Sequence, residues 1–379
     1  MGNRLMRNKT ILGALLLLAV STGQALSQAT GQADSQMPAP PPTFAEAREL
    51  AAKGRLDQAL EALQKLAKVV PEEAGVERLL GMVLYQREQL QEAEATFARA
   101  IAQDSGDKAS QEMRGITLYR LGRPAEAIPL LEGALGLDTA KPRSENPEQR
   151  PENPNLGHPV GANVEPQYVL GLCYADARRY DDARHAFAQQ FGFGADTAEA
   201  YLITARMLLR REFADQAAVF ASKAVELNPS LPLAHQLLGE IALAKADLPE
   251  AVKNLEAERK INPLNGALYD RLGDAYVRNG QFEEARTALN KAVLLEPNTT
   301  GPYILLGEAL VKLGEPTQAL HYLVRAETMD PNNAVTHNML GQAYRALGRM
   351  ADANREYKLS VEIQHRNDPK PGAKPSGAQ

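Results

Sequence analysis

The chain has 379 residues, a formal net charge of −5 at pH 7, no tryptophan and only 5% aromatic residues. The acidic balance excludes the basic surface typical of nucleic-acid-binding proteins, so no nucleic-acid partner is expected. One cysteine, Cys173, excludes an intrachain disulfide, and its place within a helical pattern predicts a small core residue.

The first 27 residues read as a secretory signal peptide. A basic start precedes an uncharged apolar stretch over residues 11–20, and Ala25 and Ser27 then occupy the positions that a signal peptidase reads. Ten apolar residues are too few to span a bilayer, which needs about 20, so no membrane span is expected in the mature chain. The prediction is an exported bacterial protein, periplasmic or extracellular. The alternative is a protein anchored to the membrane by an uncleaved N-terminal segment.

A small residue then recurs every 34 residues, with a single interval of 56. The first series consists of Ala47, Gly81, Gly115, Gly171, Ala205, Gly239, Gly273, Gly307 and Gly341. The second, always alanine, lies 12 residues later at Ala59, Ala93, Ala127, Ala183, Ala217, Ala251, Ala285, Ala319 and Ala353. A period of this length indicates a repeat architecture.

Each period encodes a helical hairpin. In the repeat that begins at Gly266, positions 269, 272, 273 and 276 share one helix face, and Gly280 interrupts the pattern. Positions 285, 289 and 292 lie on one face of a second helix, which Pro297 terminates. A single hairpin cannot bury both of its apolar faces, so the hairpins must stack into an all-α solenoid.

These residues resemble the tetratricopeptide repeat (TPR) family over about residues 40–365, in about nine repeats. The resemblance implies antiparallel helix pairs in a right-handed superhelix. It also implies a concave surface, lined by the first helices, that usually binds a peptide or a partner helix. The sequence departs from the family in two places: Thr43 and Glu46 stand where large apolar residues are usual, and residues 191–194 replace a proline turn.

The predicted organisation follows from this register. It comprises a signal peptide over 1–27, a flexible linker over 28–39, repeats one to three over 40–141, a proline-rich insertion over 142–163, repeats four to nine over 164–365, and a disordered tail over 366–379. The insertion is interpreted as an inert solvated loop, with a hinge between two sub-arrays or a flap over the concave face as alternatives.

The sequence shows no pattern of catalytic, cofactor-binding or metal-binding residues. The six histidines are scattered, no HExxH pair or Cys/His cluster occurs, and no phosphate-binding loop is present. We therefore expect no enzyme, no cofactor and no metal site.

Candidate groove residues occupy the groove-facing positions that the resemblance implies. An apolar and aromatic half consists of Met82, Tyr85, Ile116, Tyr119, Tyr168, Leu172, Leu202 and Leu209. An acidic half consists of Gln236, Glu240, Asp270, Asp274 and Glu308. The first half suits an apolar segment or amphipathic helix, and the second suits a basic continuation of the same ligand. The alternative is that Met82, Ile116 and Leu172 pack between helices and that the acids only keep the surface soluble.

These observations predict a non-catalytic scaffold for a protein or peptide partner, assisting an envelope or secretion complex. A chaperone-like holder of secreted clients and a regulatory subunit of a separate enzyme are the alternatives. The sequence leaves the oligomeric state and the identity of the partner open.

Overall fold

The computed structural model describes residues 42–69, 73–137 and 165–367, which belong to one compact unit. The predicted signal peptide, linker and proline-rich insertion lie outside the described residues, as does the predicted tail from residue 368 onwards. No helix in the described ranges is long and apolar enough to cross a membrane.

The described ranges contain eighteen α-helices and no strand, which confirms the all-α solenoid. The helices are α1 Phe44–Ala52, α2 Leu56–Leu66, α3 Val76–Gln86, α4 Leu90–Gln103, α5 Lys108–Arg120, α6 Pro124–Ala134, α7 Pro166–Asp176, α8 Tyr180–Phe191, α9 Ala198–Arg210, α10 Ala214–Leu227, α11 Ala234–Ala244, α12 Leu248–Ile261, α13 Gly266–Arg278, α14 Phe282–Leu295, α15 Thr300–Lys312, α16 Pro316–Met329, α17 Ala334–Ala346 and α18 Met350–Asn367. The repeat count and the handedness of the superhelix stay predictions.

Each odd-numbered helix packs against the even-numbered helix that follows it, and each pair packs against the next. Successive odd-numbered helices also touch, from α1 with α3 to α15 with α17, and α7 meets α9 through the Tyr168 hydroxyl, which donates to Sδ of Met207 at 3.5 Å. The alanine series that predicted the second helices is fully buried throughout its length. The odd-numbered helices are therefore the first helices of the predicted hairpins.

The first and second helix of a pair approach closely where the glycine series lies. An ideal Cβ built on Gly239 would come 2.6 Å from Cγ of Leu255, which is fully buried on the facing helix. In the preceding repeat, Ala205 and Ala221 hold the two corresponding positions, and both are buried. The extra methyl group on the first helix is thus matched by a smaller side chain on the second.

The turn inside each pair places one residue in the left-handed region, at Gly54, Glu88, Gly122, Arg178, Glu212, Ala246, Gly280, Gly314 and Gly348. Glycine adopts this conformation without steric cost, whereas the Cβ of Ala246 (φ 59°) meets the local backbone there. The same 34-residue spacing therefore governs the turns as well as the helix faces.

Both departures from the family pattern have a local explanation. Thr43 accepts a hydrogen bond from the backbone N–H of Glu46 at 3.3 Å, and the Glu46 carboxylate accepts one from the N–H of Thr43 at 2.8 Å. This reciprocal cap starts α1 in place of apolar packing. At the end of α8, Gly192 adopts a left-handed conformation (φ 76°) and closes the helix without a proline.

A charged ladder joins successive repeats along the edge that carries the turns within the pairs. Its ion pairs are Asp57–Arg87, Glu88–Arg120, Asp176–Arg211 and Asp215–Lys245. Most of these side chains are partly or largely exposed, so each pair stabilises the fold only weakly, by about 0–1 kcal/mol.

The stack is continuous across the interval that contains the predicted insertion. Helix α6 packs directly on α7, and the Tyr174 hydroxyl donates to Oε1 of Glu132 at 2.6 Å in a buried hydrogen bond. The Arg179 guanidinium lies 4.4 Å from the centroid of the Tyr174 ring. The flanking helices are therefore packed as neighbouring repeats.

Candidate binding groove

The groove candidates all lie on odd-numbered helices, from α3 to α15. Tyr85 and Ile116 are buried, with 7% and 2% of their surface exposed, so they support the surface from behind. The remaining candidates are half-buried and can contact a ligand in part: Met82, Tyr119, Tyr168, Leu172, Leu202, Leu209, Gln236, Glu240, Asp270, Asp274 and Glu308.

The aromatic candidates are engaged in contacts between repeats. The Tyr119 hydroxyl accepts a hydrogen bond from Nη1 of Arg211 at 2.9 Å, and Arg211 also pairs with Asp176. The Tyr168 hydroxyl donates to Sδ of Met207 on α9 at 3.5 Å, while its ring packs 5.8 Å from that of Phe187 within its own helix pair. These tyrosines therefore fasten successive first helices, and only part of each ring faces outward.

The open apolar surface of the groove lies at its N-terminal end. Helices α1 and α3 enclose a pocket of about 300 Å³ that is lined by Phe44, Leu79, Met82 and other side chains of the two helices. Arg48 and Arg78 lie at its mouth, and both are exposed. Nη1 of Arg78 lies 3.0 Å from Oδ1 of Asp107. An apolar floor beneath two guanidinium groups suits an apolar side chain next to a carboxylate.

Sequence reasoning identified Met82 but missed Phe44, Arg48 and Leu79. The first repeat matched the family pattern poorly because Thr43 and Glu46 replace apolar residues, although both residues form the N-terminal cap of α1. The repeat spacing could have identified Phe44 and Arg48, because they occupy the repeat positions that Arg78 and Met82 occupy in the next repeat.

Asp270 in the acidic half carries an unsatisfied acceptor. Its Oδ1 is buried without a hydrogen-bond partner, and its nearest cation, Arg271, is 3.9 Å away. Burial raises the pKa of the Asp270 carboxyl, Arg271 opposes that rise, and repulsion from Asp274 and Glu296 adds to it. A carboxylate in this state favours a ligand that brings a hydrogen-bond donor or a positive charge.

Among the other polar candidates, Gln236, Glu240 and Asp274 are already partnered. Nε2 of Gln236 donates to Oε1 of Glu240 at 2.8 Å, and Nδ2 of Asn265 donates to Oε1 of Gln236 at 2.8 Å. Asp274 lies 3.5 Å from Arg278 on its own helix. Asp270 and Glu308, both half-buried, are therefore the positions of the acidic half that a ligand can still pair with.

A second, larger recess lies outside the groove, between α8 and α10. Its volume is about 940 Å³, and its lining includes Tyr180, Tyr201 and Phe220, with Val219 at 59% exposure. Charged residues of both signs surround it, so its electrostatics favour no single class of ligand. No pattern in the sequence indicated this recess.

Three potential metal ligands meet near the C-terminal end of the array, although no metal site was expected from sequence. They are Glu327, His337 and Glu356, from α16, α17 and α18. Sequence spacing could not reveal them because each comes from a different helix.

Three family models match parts of the chain. One described as Tetratricopeptide repeat matches residues 44–108 and 304–369, and a second with the same description matches residues 109–132. A third, described as TPR repeat, matches residues 273–314. No curated protein matches the chain.

Solved structures of similar architecture cover parts of the chain. YrrB, titled a TPR protein with an unusual peptide-binding site, is 24% identical, with a TM-score of 0.44, over 49% of this chain and 95% of its own. MamA from Desulfovibrio magneticus RS-1 is 20% identical, with a TM-score of 0.43, over 46% of this chain and 98% of its own. The Cut9–Hcn1 hetero-tetramer of the APC/C is 17% identical, with a TM-score of 0.39, over 79% of this chain and 54% of the matched one.

Proposed function

Because the chain is a tetratricopeptide repeat protein, and so a scaffold for protein–protein interaction, we propose that it holds a peptide or helix of a partner along its first helices. The anchor is an apolar side chain of the partner, seated in the pocket between α1 and α3. The observation that carries this proposal is that pocket, which combines about 300 Å³ of apolar space with two arginines at its mouth.

The charges along the groove favour one orientation of the ligand. A carboxylate beside the apolar anchor pairs with Arg48 and shares Arg78 with Asp107, which already lies 3.0 Å from it. Farther along the array, the half-buried Asp270 favours a Lys or Arg side chain, because its carboxylate has only a distant cation, Arg271, at 3.9 Å from Oδ2. A ligand that is acidic near its anchor and basic farther along fits both surfaces.

We place this function in an envelope or secretion complex, on the basis of the predicted signal peptide alone. Fusing residues 1–40 to a reporter enzyme that is active only after export tests that placement. Reporter activity is expected, and an inactive reporter retained in the cytoplasm contradicts it.

The binding proposal is tested with labelled six-residue peptides in which one central residue is Leu, Phe or Ser and its neighbour is Asp or Lys. Fluorescence anisotropy with the full chain measures each affinity. The peptides with Leu or Phe beside Asp are expected to bind best. Replacing Met82 with Glu introduces a charge into the pocket lining and should weaken their binding at least about tenfold, because a buried unpaired charge is costly.

Val219→Glu is the matched control, since it puts the same charge on an exposed apolar site outside the groove and should leave the affinity unchanged. Equal binding to wild type and Met82→Glu contradicts the pocket as the anchor. Binding that ignores both the central residue and its neighbour instead supports a chaperone-like holder, which takes many clients with similar affinity.

A further inference from the structure

Glu327, His337 and Glu356 are brought together where the last helix pair meets the preceding one. Their ligand atoms all lie within 4.8 Å of one another, and each residue comes from a different helix: α16, α17 and α18. His337 and Glu356 are 3% and 4% exposed, whereas Glu327 is half-buried and borders the solvent. The two buried side chains are held in fixed positions, and the third can adjust.

The imidazole of His337 is oriented by its backbone neighbour. Its Nε2 lies 2.9 Å from the carbonyl oxygen of Pro331, which can only accept, so Nε2 carries a proton. The other nitrogen, Nδ1, then faces Oε2 of Glu356 at 2.9 Å. A histidine that donates one N–H to a backbone carbonyl and presents its other nitrogen to carboxylates has the orientation typical of metal-ligating histidines.

Glu356 is oriented in the same sense. Its Oε1 accepts hydrogen bonds from Nε and Nη2 of Arg355 at 3.1 and 3.0 Å, which leaves Oε2 directed at His337. The guanidinium also offsets part of the negative charge that two carboxylates would otherwise concentrate in a buried place.

We propose that His337, Glu356 and Glu327 form a binding site for a divalent transition-metal ion, with Zn²⁺ as the representative ion. One imidazole nitrogen and two carboxylate oxygens suit Zn²⁺, whereas Mg²⁺ and Ca²⁺ favour oxygen ligands alone. The metal takes the place of the proton on Nδ1, and that proton leaves to solvent. Water completes the fourth position.

The geometry requires only a small adjustment. Tetrahedral coordination at about 2.0–2.1 Å places ligand atoms about 3.4 Å apart. The Nδ1 to Oε2 separation is already shorter than that, and Glu327 has to approach by roughly 1 Å, which its half-exposed side chain allows. The bound ion joins α18 to α16 and α17 and so stabilises the C-terminal end of the described array, where α18 packs against α17.

An earlier repeat of the same array contains a histidine that can be compared with His337. His235 occupies the same repeat position, with Nε2 3.2 Å from the carbonyl oxygen of Pro229 and Nδ1 3.4 Å from Oδ1 of Asn254. Asn254 stands where Glu356 does, and Val225 stands where Glu327 does. The backbone anchor is thus shared, while both carboxylates are absent, so His235 should not bind the metal.

Calorimetric titration of Zn²⁺ into the chelator-treated full chain tests the proposal. Wild type is expected to bind one ion with an affinity that Glu356→Gln weakens at least tenfold. Glu327→Gln should weaken it by a similar factor, on the order of 10–100-fold. The second variant changes a half-exposed carboxylate, so it keeps the test valid even if Glu356→Gln disturbs folding. His235→Asn is the matched control and should bind Zn²⁺ as wild type does.

Hydrogen exchange supplies an independent readout. Zn²⁺ should slow amide exchange in α17 and α18 of wild type and leave Glu327→Gln unchanged. The proposal is overturned if wild type binds no Zn²⁺, if Glu327→Gln binds it as tightly as wild type, or if His235→Asn abolishes the binding. Because this site lies outside the groove, the peptide affinities of Glu327→Gln should equal those of wild type, so the two proposals fail separately.

Discussion

Replacing Gly239 with Ala should destabilise the array, because the new methyl group has no room. Its Cβ would lie 2.6 Å from Cγ and 2.8 Å from Cδ2 of the fully buried Leu255. Ordinary contact needs about 3.5–4.0 Å, so the side chain or the helices must shift by roughly 1 Å. Overpacking of this kind costs about 1–3 kcal/mol, and the better helix propensity of alanine returns about 1 kcal/mol. The net loss is therefore about 1 kcal/mol.

Leu255→Ala alone should cost about 2–5 kcal/mol, because it leaves a cavity between α11 and α12. The double variant recreates the pair that the preceding repeat carries naturally, Ala205 with Ala221. Its new methyl group no longer clashes and fills part of the cavity. The double variant should therefore be more stable than Leu255→Ala, and the two substitutions should couple by about 2 kcal/mol.

Urea denaturation followed by far-UV circular dichroism measures the four proteins of this cycle. Because a repeat array can unfold in steps, amide exchange in α11 and α12 should be measured alongside it. If the two losses add to within about 0.5 kcal/mol, the size matching between the paired helices does not operate and the packing argument is wrong.

Three further predictions follow from single side chains. Burial raises the pKa of the Cys173 thiol to about 12, so iodoacetamide at pH 8 should modify it only after denaturation; modification of the native chain would contradict its burial. Ala246→Gly should stabilise the array by about 1 kcal/mol by relieving the left-handed turn, and Gly280→Ala (φ 75°) should destabilise it by a similar amount; denaturation midpoints moving the other way would refute this. The pKa of Asp270 is raised in the folded state, so ionisation of this carboxyl destabilises the fold. The destabilisation is absent at low pH and grows as the pH rises through the folded pKa. Between pH 4 and pH 7 wild type should therefore lose more stability than Asp270→Asn, and equal losses would contradict the assignment.

The helices and their pairing could be predicted from the sequence because each depends on contacts that repeat. A small residue such as Gly239 and a buried partner such as Leu255 recur at fixed spacing. The repeat period therefore indicates where the two helices of a pair approach closely. Prolines and residues in the left-handed conformation also recur at fixed positions of the repeat, so they indicate the turns. Every groove candidate lies on an odd-numbered helix, as the register predicts, while the face that binds a ligand stays a prediction.

The binding surface was less predictable because it depends on distances between helices. Ile116 stands at a groove position, yet neighbouring side chains bury it, and a position number does not show how closely two helices lie. The pocket beside Met82 exists because α1 and α3 leave space between them. The cluster around His337 needs three helices at once, and its residues lie 10 and 19 positions apart with no local motif.

The charged ladder makes the stiffness of one edge of the array depend on the salt concentration. The apolar seams of the array carry no charges for salt to screen, whereas the pairs Asp57–Arg87 and Asp215–Lys245 involve exposed carboxylates. The distance over which such charges act shrinks from about 10 Å at 0.1 M salt to about 3 Å at 1 M. In dilute solution that edge resists stretching, and in concentrated salt it yields while the seams hold. Because each pair contributes only about 0–1 kcal/mol, ionic strength adjusts the stiffness of that edge by a small amount.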